Sequence, residues 1–252
     1  VLSQLGDRTV SQAAGVIQSV TFPLYDQRFA NPDVRIAFAM AIDRVRISNE
    51  VFAGGREPAT GWVSPVVDGF TPDACGPNCT FNPEAARAAL ARGGGFAGDL
   101  TIAFNADGDH QGWVDATCKS ITETLGVICT GTPFPDFASF RTAVTNREMT
   151  GLFHSGWRMD YPSIENFLVP LFKTGASSND GDYSNPAFDA MMDTAATQPA
   201  QQGIRTYQES QTVLAADMPT IPLWFGGVTA GYSDNVRNVT FTPFSRVDLT
   251  AV

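Results

Sequence analysis

Helix starts marked by an Asn-Pro step constrain the fold of this chain more than any other sequence feature. The three steps are Asn31-Pro32, Asn82-Pro83 and Asn185-Pro186. Asparagine is a preferred helix N-cap, and proline is favoured at the first helical position because the N–H that it lacks has no partner there. After the first step, apolar residues recur at helical spacing, at Val34, Ala37, Phe38, Ala41 and Ile42. Each step therefore predicts a helix.

Strand patterns lie between the predicted helices. Leu100, Ile102 and Phe104 alternate with polar or small residues as in a half-buried strand, and Gly151–Trp157 is a second strand candidate. A third, Val127–Cys129, follows a predicted helix that ends at Gly126. Near the C-terminus the pattern predicts three short strands, Ile221–Phe225, Val228–Tyr232 and Val236–Phe241. Alternating helices and strands predict a layered α/β (α+β) fold.

Charge argues against a nucleic-acid partner. The chain carries 16 Lys and Arg against 26 Asp and Glu, a net charge of −10, and its basic residues form no cluster. Phosphate-binding surfaces need such clusters. A hydrophobic content of 43% is that of a globular protein, and no apolar run approaches the roughly 20 residues of a membrane-spanning helix.

Four cysteines permit three disulfide pairings. Closeness in sequence favours Cys75 with Cys79 and Cys118 with Cys129. Free buried thiols are an alternative, and a four-thiolate zinc site is another, although structural zinc usually takes two closely spaced cysteine pairs. Disulfides would place the chain outside a reducing cytosol.

The sequence contains no recognisable catalytic motif. His110 and His154 do not have the spacing of metal ligands, and no serine lies in a G-x-S-x-G context. Asp107 and Asp109 alternate as at the start of a calcium loop, but His110 occupies the position that requires glycine. We therefore expect no catalysis, no cofactor and no metal.

The segment Gly156–Pro162 is the best candidate for a binding site. It joins a predicted strand to a helix and places Asp160 between Trp157 and Tyr161. A carboxylate beside aromatic rings can bind an ammonium group, and ligand clefts of α/β domains open at strand-to-helix loops. The alternative is a core tryptophan followed by a loop aspartate bonded to its own backbone.

An ordered series of motifs resembles family 5 extracellular solute-binding proteins, the peptide-binding components of ABC importers. The series, in chain order, is Phe29–Arg35 with Ala39–Arg44, Val51–Gly55, Phe81–Ala86, Gly156–Pro162 with Asn166–Leu168, Tyr183–Asp189 and Pro219–Leu223. The resemblance begins near Val16 and continues to the C-terminus.

This resemblance implies the C-terminal half of a two-lobed receptor with a type II periplasmic-binding-protein-like fold. Residues 1–23 would cross over from the missing N-terminal lobe, 24–222 would form the ligand-binding lobe, and 223–252 would return to the other lobe. The expected protein is a monomeric periplasmic receptor or cell-surface lipoprotein. It would close on a small peptide by hinge motion and deliver it to the ABC permease membrane subunits.

The resemblance also implies roles for individual residues. Asp160 would pair with the α-amino group of a peptide, and Trp157 would lie beside it. Arg158 and Met159 stand where many members have small residues, and Arg158 could neutralise Asp160 or bind a ligand carboxylate. Tyr161 completes the predicted ligand-binding set. Members that bind nickel complexes, haem, oligosaccharides or opines leave the solute open, and a hydrolase that pairs Asp160 with Asp107 or Asp109 is the main alternative.

Overall fold

The computed structural model describes residues 5–250 and contains a six-stranded sheet through which two long strands run. Its strands are β1 (Thr9–Thr21), β2 (Glu57–Pro58), β3 (Leu100–Asn105), β4 (Cys129–Phe134), β5 (Leu152–Arg158) and β6 (Thr220–Gly231), in the spatial order β2-β6-β1-β5-β3-β4. β3 is parallel to β4 and β5, whereas β1 is antiparallel to β5 and β6. The sheet is therefore mixed, and the predicted α/β class is confirmed.

Helices connect and cover these strands. They are α1 (Pro32–Met40), α2 (Arg44–Phe52), α3 (Pro83–Arg92), α4 (Gln111–Leu125), α5 (Phe137–Thr145), α6 (Ile164–Phe172), α7 (Pro186–Thr197) and α8 (Ala200–Asp217), with short 3-10 helices at Gln27–Phe29 and Gly76–Cys79. The side chains of Asn31, Asn82 and Asn185 each accept a hydrogen bond from a backbone N–H of the following first turn. The helix starts predicted from the Asn-Pro steps are confirmed.

Two apolar clusters hold the layers together. The larger one joins β1, β3 and β6 to the helices and contains fully buried aromatic rings at Phe22, Phe29, Phe38, Trp62 and Trp224. The smaller one packs α5 against the sheet through Ala103, Phe140, Ala143, Val144, Met149 and Phe153. The smaller cluster fixes α5 beside β5, the strand that precedes the candidate site.

The prediction of three short C-terminal strands is wrong. β6 is one strand that runs through Gly226 and Gly227, although the glycines interrupt its apolar pattern. The opposite strand β1 bulges between Ala13 and Ile17, and a Cβ at Gly226 would lie 2.5 Å from the Cβ of Val16. Glycine therefore allows a close approach of two strands here and does not mark a turn.

The predicted strand Val127–Cys129 begins too early and ends too early. β4 runs from Cys129 to Phe134 and pairs with the whole of β3. α4 ends at Gly126 in the left-handed conformation, so Val127 and Ile128 are used to turn the chain onto the sheet. The sequence of β4 contains Gly131 and Pro133, which removes the usual strand signal from an edge strand.

The cysteines form two disulfides, Cys75–Cys79 and Cys118–Cys129. The pairing favoured from the sequence is confirmed, and the zinc and free-thiol alternatives are excluded. Cys118–Cys129 joins α4 to β4, and Cys75–Cys79 closes the short helical turn before α3. Within residues 5–250, no helix combines the length and apolarity needed to span a lipid bilayer.

Candidate functional site

The candidate site forms where β5 ends and the chain turns into α6. Trp157 lies on β5 opposite Ile17 of β1, and Asp160 follows in the connection to Ser163, the N-cap of α6. The ring of Trp157 is half-buried against the core, whereas Asp160 is exposed. The structure therefore places an exposed carboxylate three residues after a half-buried indole, and their part in ligand binding stays a prediction.

Asn166, a buried residue in the first turns of α6, holds the two side chains in place. Its Oδ1 accepts hydrogen bonds from Trp157 Nε1 at 3.1 Å and from the backbone N–H of Asp160 at 2.9 Å. Its Nδ2 donates to Asp160 Oδ2 at 3.3 Å. Because Asn166 is only 2% exposed, these bonds are shielded from water and fix the orientation of both residues. The other carboxylate oxygen of Asp160 has no hydrogen-bond partner in the described part of the chain.

The remaining predicted residues take different positions. Met159 is 3% exposed and packs against Gly15, whose backbone carbonyl accepts a 2.8 Å bond from the Met159 N–H. Arg158 is exposed and forms no ion pair within residues 5–250. Since strand neighbours point to opposite faces, Arg158 faces away from the side that Trp157 occupies. The part of Arg158 and Met159 in binding stays a prediction.

Tyr161 is 45% exposed and donates from its hydroxyl to the Glu165 carboxylate. This hydrogen bond, together with partial burial, raises the pKa of Tyr161. The ring of Tyr161 lies next to Asp160 in the chain and remains accessible. Asp160 is therefore preceded in the chain by one aromatic residue, Trp157, and followed by another, Tyr161.

A cavity of about 330 Å³ opens beside Trp157. Its wall includes side chains from β1, β5, α5 and α6 and from the segment that precedes α7. The apolar part of the wall is formed by Ile17, Trp62, Trp157, Phe137, Phe140, Leu171 and Phe172. Trp157 is the one predicted site residue that lines this cavity; Asp160 and Tyr161 lie outside it. The indole thus separates an exposed carboxylate from an apolar pocket.

An ion pair closes the far side of the cavity. Arg141 on α5 binds Asp180 with both terminal nitrogens, at 2.7 and 3.1 Å. Both residues line the cavity, and their side chains are 38% and 18% exposed. A second pair, Arg147 with Asp182, joins the same two segments outside the cavity lining.

The ring of His154, on β5, lies against that of His110, with centroids 4.0 Å apart and the ring planes tilted by 42°. His110 Nδ1 accepts a hydrogen bond from Trp113 Nε1 at 3.1 Å. Burial, together with the neighbouring His110 and Arg56, lowers the pKa of His154 to about 3. Burial also lowers the pKa of His110. Both rings are therefore neutral at pH 7, and neither can bind an anion as a cation.

Among the described residues, Asp107 and Asp160 are held by different parts of the fold. Asp107 Oδ1 accepts from Asn105 Nδ2 at 2.7 Å, and Asp107 Oδ2 accepts from the Phe137 N–H at 3.2 Å. These bonds lower the pKa of Asp107 and tie it to the start of α5. Asp160 is bonded instead to Asn166 at the start of α6. The hydrolase alternative therefore has no geometric support among the described residues.

Three residues shape this region without belonging to the predicted ligand-binding set: Asn166, Arg141 and Asp180. Asn166 was recognised as part of a motif, but its hydrogen bonds to Trp157 and Asp160 were not foreseen. One sequence signal for this role exists. Asn166 is a polar residue among apolar ones at the start of a predicted helix, six residues after the candidate carboxylate Asp160. Arg141 and Asp180 are 39 residues apart in the chain and meet only through the fold.

A mixed sheet with connecting helices and a cavity beside β5 defines this part of the chain as a layered α/β domain with a candidate ligand pocket. The sequence model for bacterial extracellular solute-binding proteins, family 5 (middle region), matches residues 2–179. The chain therefore belongs to family 5 of the bacterial extracellular solute-binding proteins.

Individual relatives agree with this assignment. The peptide transport periplasmic protein SapA of Salmonella typhimurium is 24% identical over 88% of this chain and 41% of its own length. The periplasmic murein peptide-binding protein MppA of Escherichia coli is 27% identical over 80% of this chain and 37% of its own length. The solved structure of Escherichia coli MppA matches with a TM-score of 0.84 at 20% identity, over 97% of this chain and 48% of that one. The chain thus spans less than half the length of each of these relatives.

Proposed function

We propose that this chain is the C-terminal half of an extracytoplasmic receptor that binds peptides and delivers them to the permease of an ABC importer, without catalysis. Family membership supports the receptor role, and the relatives are named as peptide-binding or peptide-transport proteins. The disulfides support a location outside a reducing cytosol. Residues 1–23 and 223–252 would link the lobe formed by 24–222 to the other lobe. The outer halves of β1 and β6 support this division, because their residues are partly exposed although they pair with each other.

The observation that carries the proposal is the arrangement of Asp160. Asn166 holds its backbone and one carboxylate oxygen, which leaves the other oxygen available beside Trp157. A peptide α-amino group bound there would gain a charge-assisted hydrogen bond, and closure of the second lobe would remove water from it. Asp160 is therefore the proposed counter-ion of the peptide amino terminus, with Trp157 and Tyr161 on either side.

Calorimetry of the full-length protein with alanine-based tripeptides tests this assignment. Loss of one partner of a desolvated ion pair typically costs about 3–5 kcal/mol, so Asp160→Asn should weaken binding by roughly two to three decades. Acetylation of the peptide amino terminus should cause a similar loss in the unmodified protein. The two losses should not add, because both remove the same interaction.

Asp182→Asn is the matched control, since it removes an exposed carboxylate outside the cavity lining. It should leave the affinity unchanged. The site assignment is wrong if Asp160→Asn lowers the melting temperature while the preference for a free amino terminus persists. The receptor proposal itself fails if the full-length protein binds neither free nor acetylated tripeptides.

A further inference from the structure

The cavity beside Trp157 combines a set of apolar side chains with polar ones that carry no net charge. Its aromatic and aliphatic side chains come from five separate segments, which the fold brings together around about 330 Å³. Two of its four ionisable groups, Arg141 and Asp180, neutralise each other. The other two are uncharged at pH 7, because burial lowers the pKa of His154 to about 3 and raises the pKa of Tyr183. The only charged side chains in the described lining are therefore Arg141 and Asp180, and each compensates the charge of the other.

A charged ligand group would find no counter-ion in this cavity. Asp180 accepts both of its hydrogen bonds from Arg141, so an incoming ammonium group would have to compete with a bidentate guanidinium. A carboxylate would have to displace Asp180 to reach Arg141. Burial of a charge without a partner is costly, whereas an apolar group would gain contact with aromatic rings such as Phe140 and Phe172.

We propose that the cavity receives one neutral, bulky apolar side chain of the bound peptide, and that the Arg141–Asp180 ion pair is the specificity determinant that excludes charged side chains. The inference rests on the proposed peptide-binding function. The pair acts by occupying the positive charge of Arg141, which would otherwise attract an acidic side chain. Trp157 connects this pocket to the proposed amino-terminal anchor, because its indole both lines the cavity and shares Asn166 with Asp160.

Binding of a tripeptide library to the full-length protein tests the pocket. Each peptide has a free amino terminus and two alanines, with Phe, Leu, Glu or Lys at the first, second or third position. The unmodified protein should bind the Phe and Leu peptides roughly ten-fold or more tightly than the Glu and Lys peptides, at one position only. At the other positions the four peptides should differ less.

Asp180→Asn should reverse part of this preference. It frees the Arg141 charge, so the Glu peptide should gain roughly ten-fold relative to the Phe peptide at the selective position, and the Lys peptide should lose affinity. Asp182→Asn makes the same chemical change in the same loop, on the partner of Arg147, and should alter neither ratio. The double variant Arg141→Gln with Asp180→Asn removes both charges and should restore the exclusion of Glu.

The double variant also separates specificity from folding. If Asp180→Asn loosens the loop, the double variant does so too, yet only the single variant should gain affinity for the Glu peptide. Equal affinities for Phe and Glu peptides at every position would overturn the inference and leave the Asp160 assignment standing. So would a Glu-to-Phe ratio that Asp180→Asn leaves unchanged or that Asp182→Asn changes equally. Failure of all tripeptides to bind would overturn the proposed function and this inference together.

Discussion

Arginine has different partners in the protein interior and at the cavity wall: backbone carbonyls in the interior, and a carboxylate at the wall. Arg44 is 3% exposed and has no carboxylate partner among residues 5–250. It donates to the backbone carbonyls of Ala39, Ile42, Cys79 and Pro222 at 2.8–3.3 Å. Arg141, at the cavity wall, is half-exposed and binds the Asp180 carboxylate. The interior arginine joins separate segments of backbone, whereas the cavity arginine is matched to another side chain that a ligand could replace.

This difference separates contacts that stabilise the fold, such as those of Arg44, from contacts that could select a ligand, such as that of Arg141 with Asp180. The carbonyls around Arg44 come from the end of α1, the cystine turn and β6, so one side chain joins three segments that are distant in the sequence. Burial lowers the pKa of Arg44 to about 10, which still leaves it charged at pH 7. At the cavity, the two paired charges cancel and can be altered without exposing buried backbone.

Replacement of Arg44 should produce the largest loss of stability. Arg44→Met keeps much of the volume but removes the guanidinium donor from four backbone carbonyls, of which that of Ile42 still accepts from the residue 44 N–H, and the free energy of unfolding should fall by about 4 kcal/mol. Arg46→Met is the matched control on the same helix, because Arg46 pairs with Glu123 at the surface. It should cost about 0.5 kcal/mol. Urea denaturation of both variants measures the difference, and similar losses would contradict the distinction between the two regions.

The same comparison explains how much of the fold was predictable. Helix caps are local, so the Asn-Pro steps located α1, α3 and α7 from the sequence. The Arg44 contacts are not local, since Pro222 lies 178 residues away from it. The sequence pattern predicted short strands in place of β6 because its glycines look like turn residues. They instead make room for a bulge in β1, which the sequence of β6 does not reveal.

The candidate site was predictable only in part, for the same reason. Trp157 and Asp160 are three residues apart and belong to one motif, so the sequence and the family resemblance brought them together. The Arg141–Asp180 pair depends on how α5 packs against the loop before α7. Such a contact between distant segments is a property of the assembled fold, and the cavity that it closes is not visible in either segment alone.

Lowering the pH tests how much stability is lost when the buried His154 ring becomes protonated. His154 has a pKa of about 3 in the folded state, below the value of 6.5 for an unperturbed histidine. Between these pH values the unfolded chain binds more protons than the folded one, so stability falls as the pH is lowered from about 6.5 towards 3. At pH 4 this group should have removed about 3 kcal/mol of the free energy of unfolding present at pH 7.

His154→Phe should flatten this pH dependence. Phenylalanine suits the aromatic neighbours of His154, which include Trp113 and Phe140, and it does not titrate. The variant should lose less stability than the unmodified protein between pH 7 and pH 4, by about the amount assigned to His154. Denaturation curves at pH 7, 5 and 4 measure this. Parallel pH profiles for the two proteins would show that other groups cause the acid sensitivity.

Removal of the disulfides should have a somewhat smaller effect. The loop closed by Cys118–Cys129 is longer than that closed by Cys75–Cys79, with sequence separations of 11 and 4. The chain-entropy estimate gives about 3 kcal/mol for the longer loop and about 2 kcal/mol for the shorter one. Paired Cys→Ala variants, compared by urea denaturation, measure both. Peptide mapping under non-reducing conditions that found four alkylatable thiols in oxidised protein would contradict the pairing itself.

The smallest expected effect distinguishes the two ion pairs that join α5 and the turn after it to the loop before α7. Asp180 is 18% exposed in its pair with Arg141, and Asp182 is 43% exposed in its pair with Arg147. Because water and salt screen exposed charges, double-mutant cycles should give a coupling of about 1 kcal/mol for the first pair and about 0.3 kcal/mol for the second. The coupling of the second pair should also fall more steeply when the salt concentration is raised from about 0.05 to about 0.5 M, because the Debye length shortens and exposed charges are screened more strongly. If the two couplings are equal and respond equally to salt, the cavity wall is as open to solvent as the outer surface. The Arg141–Asp180 pair would then be too weak to control which side chain enters the pocket, and the contrast with the interior arginine would rest on Arg44 alone.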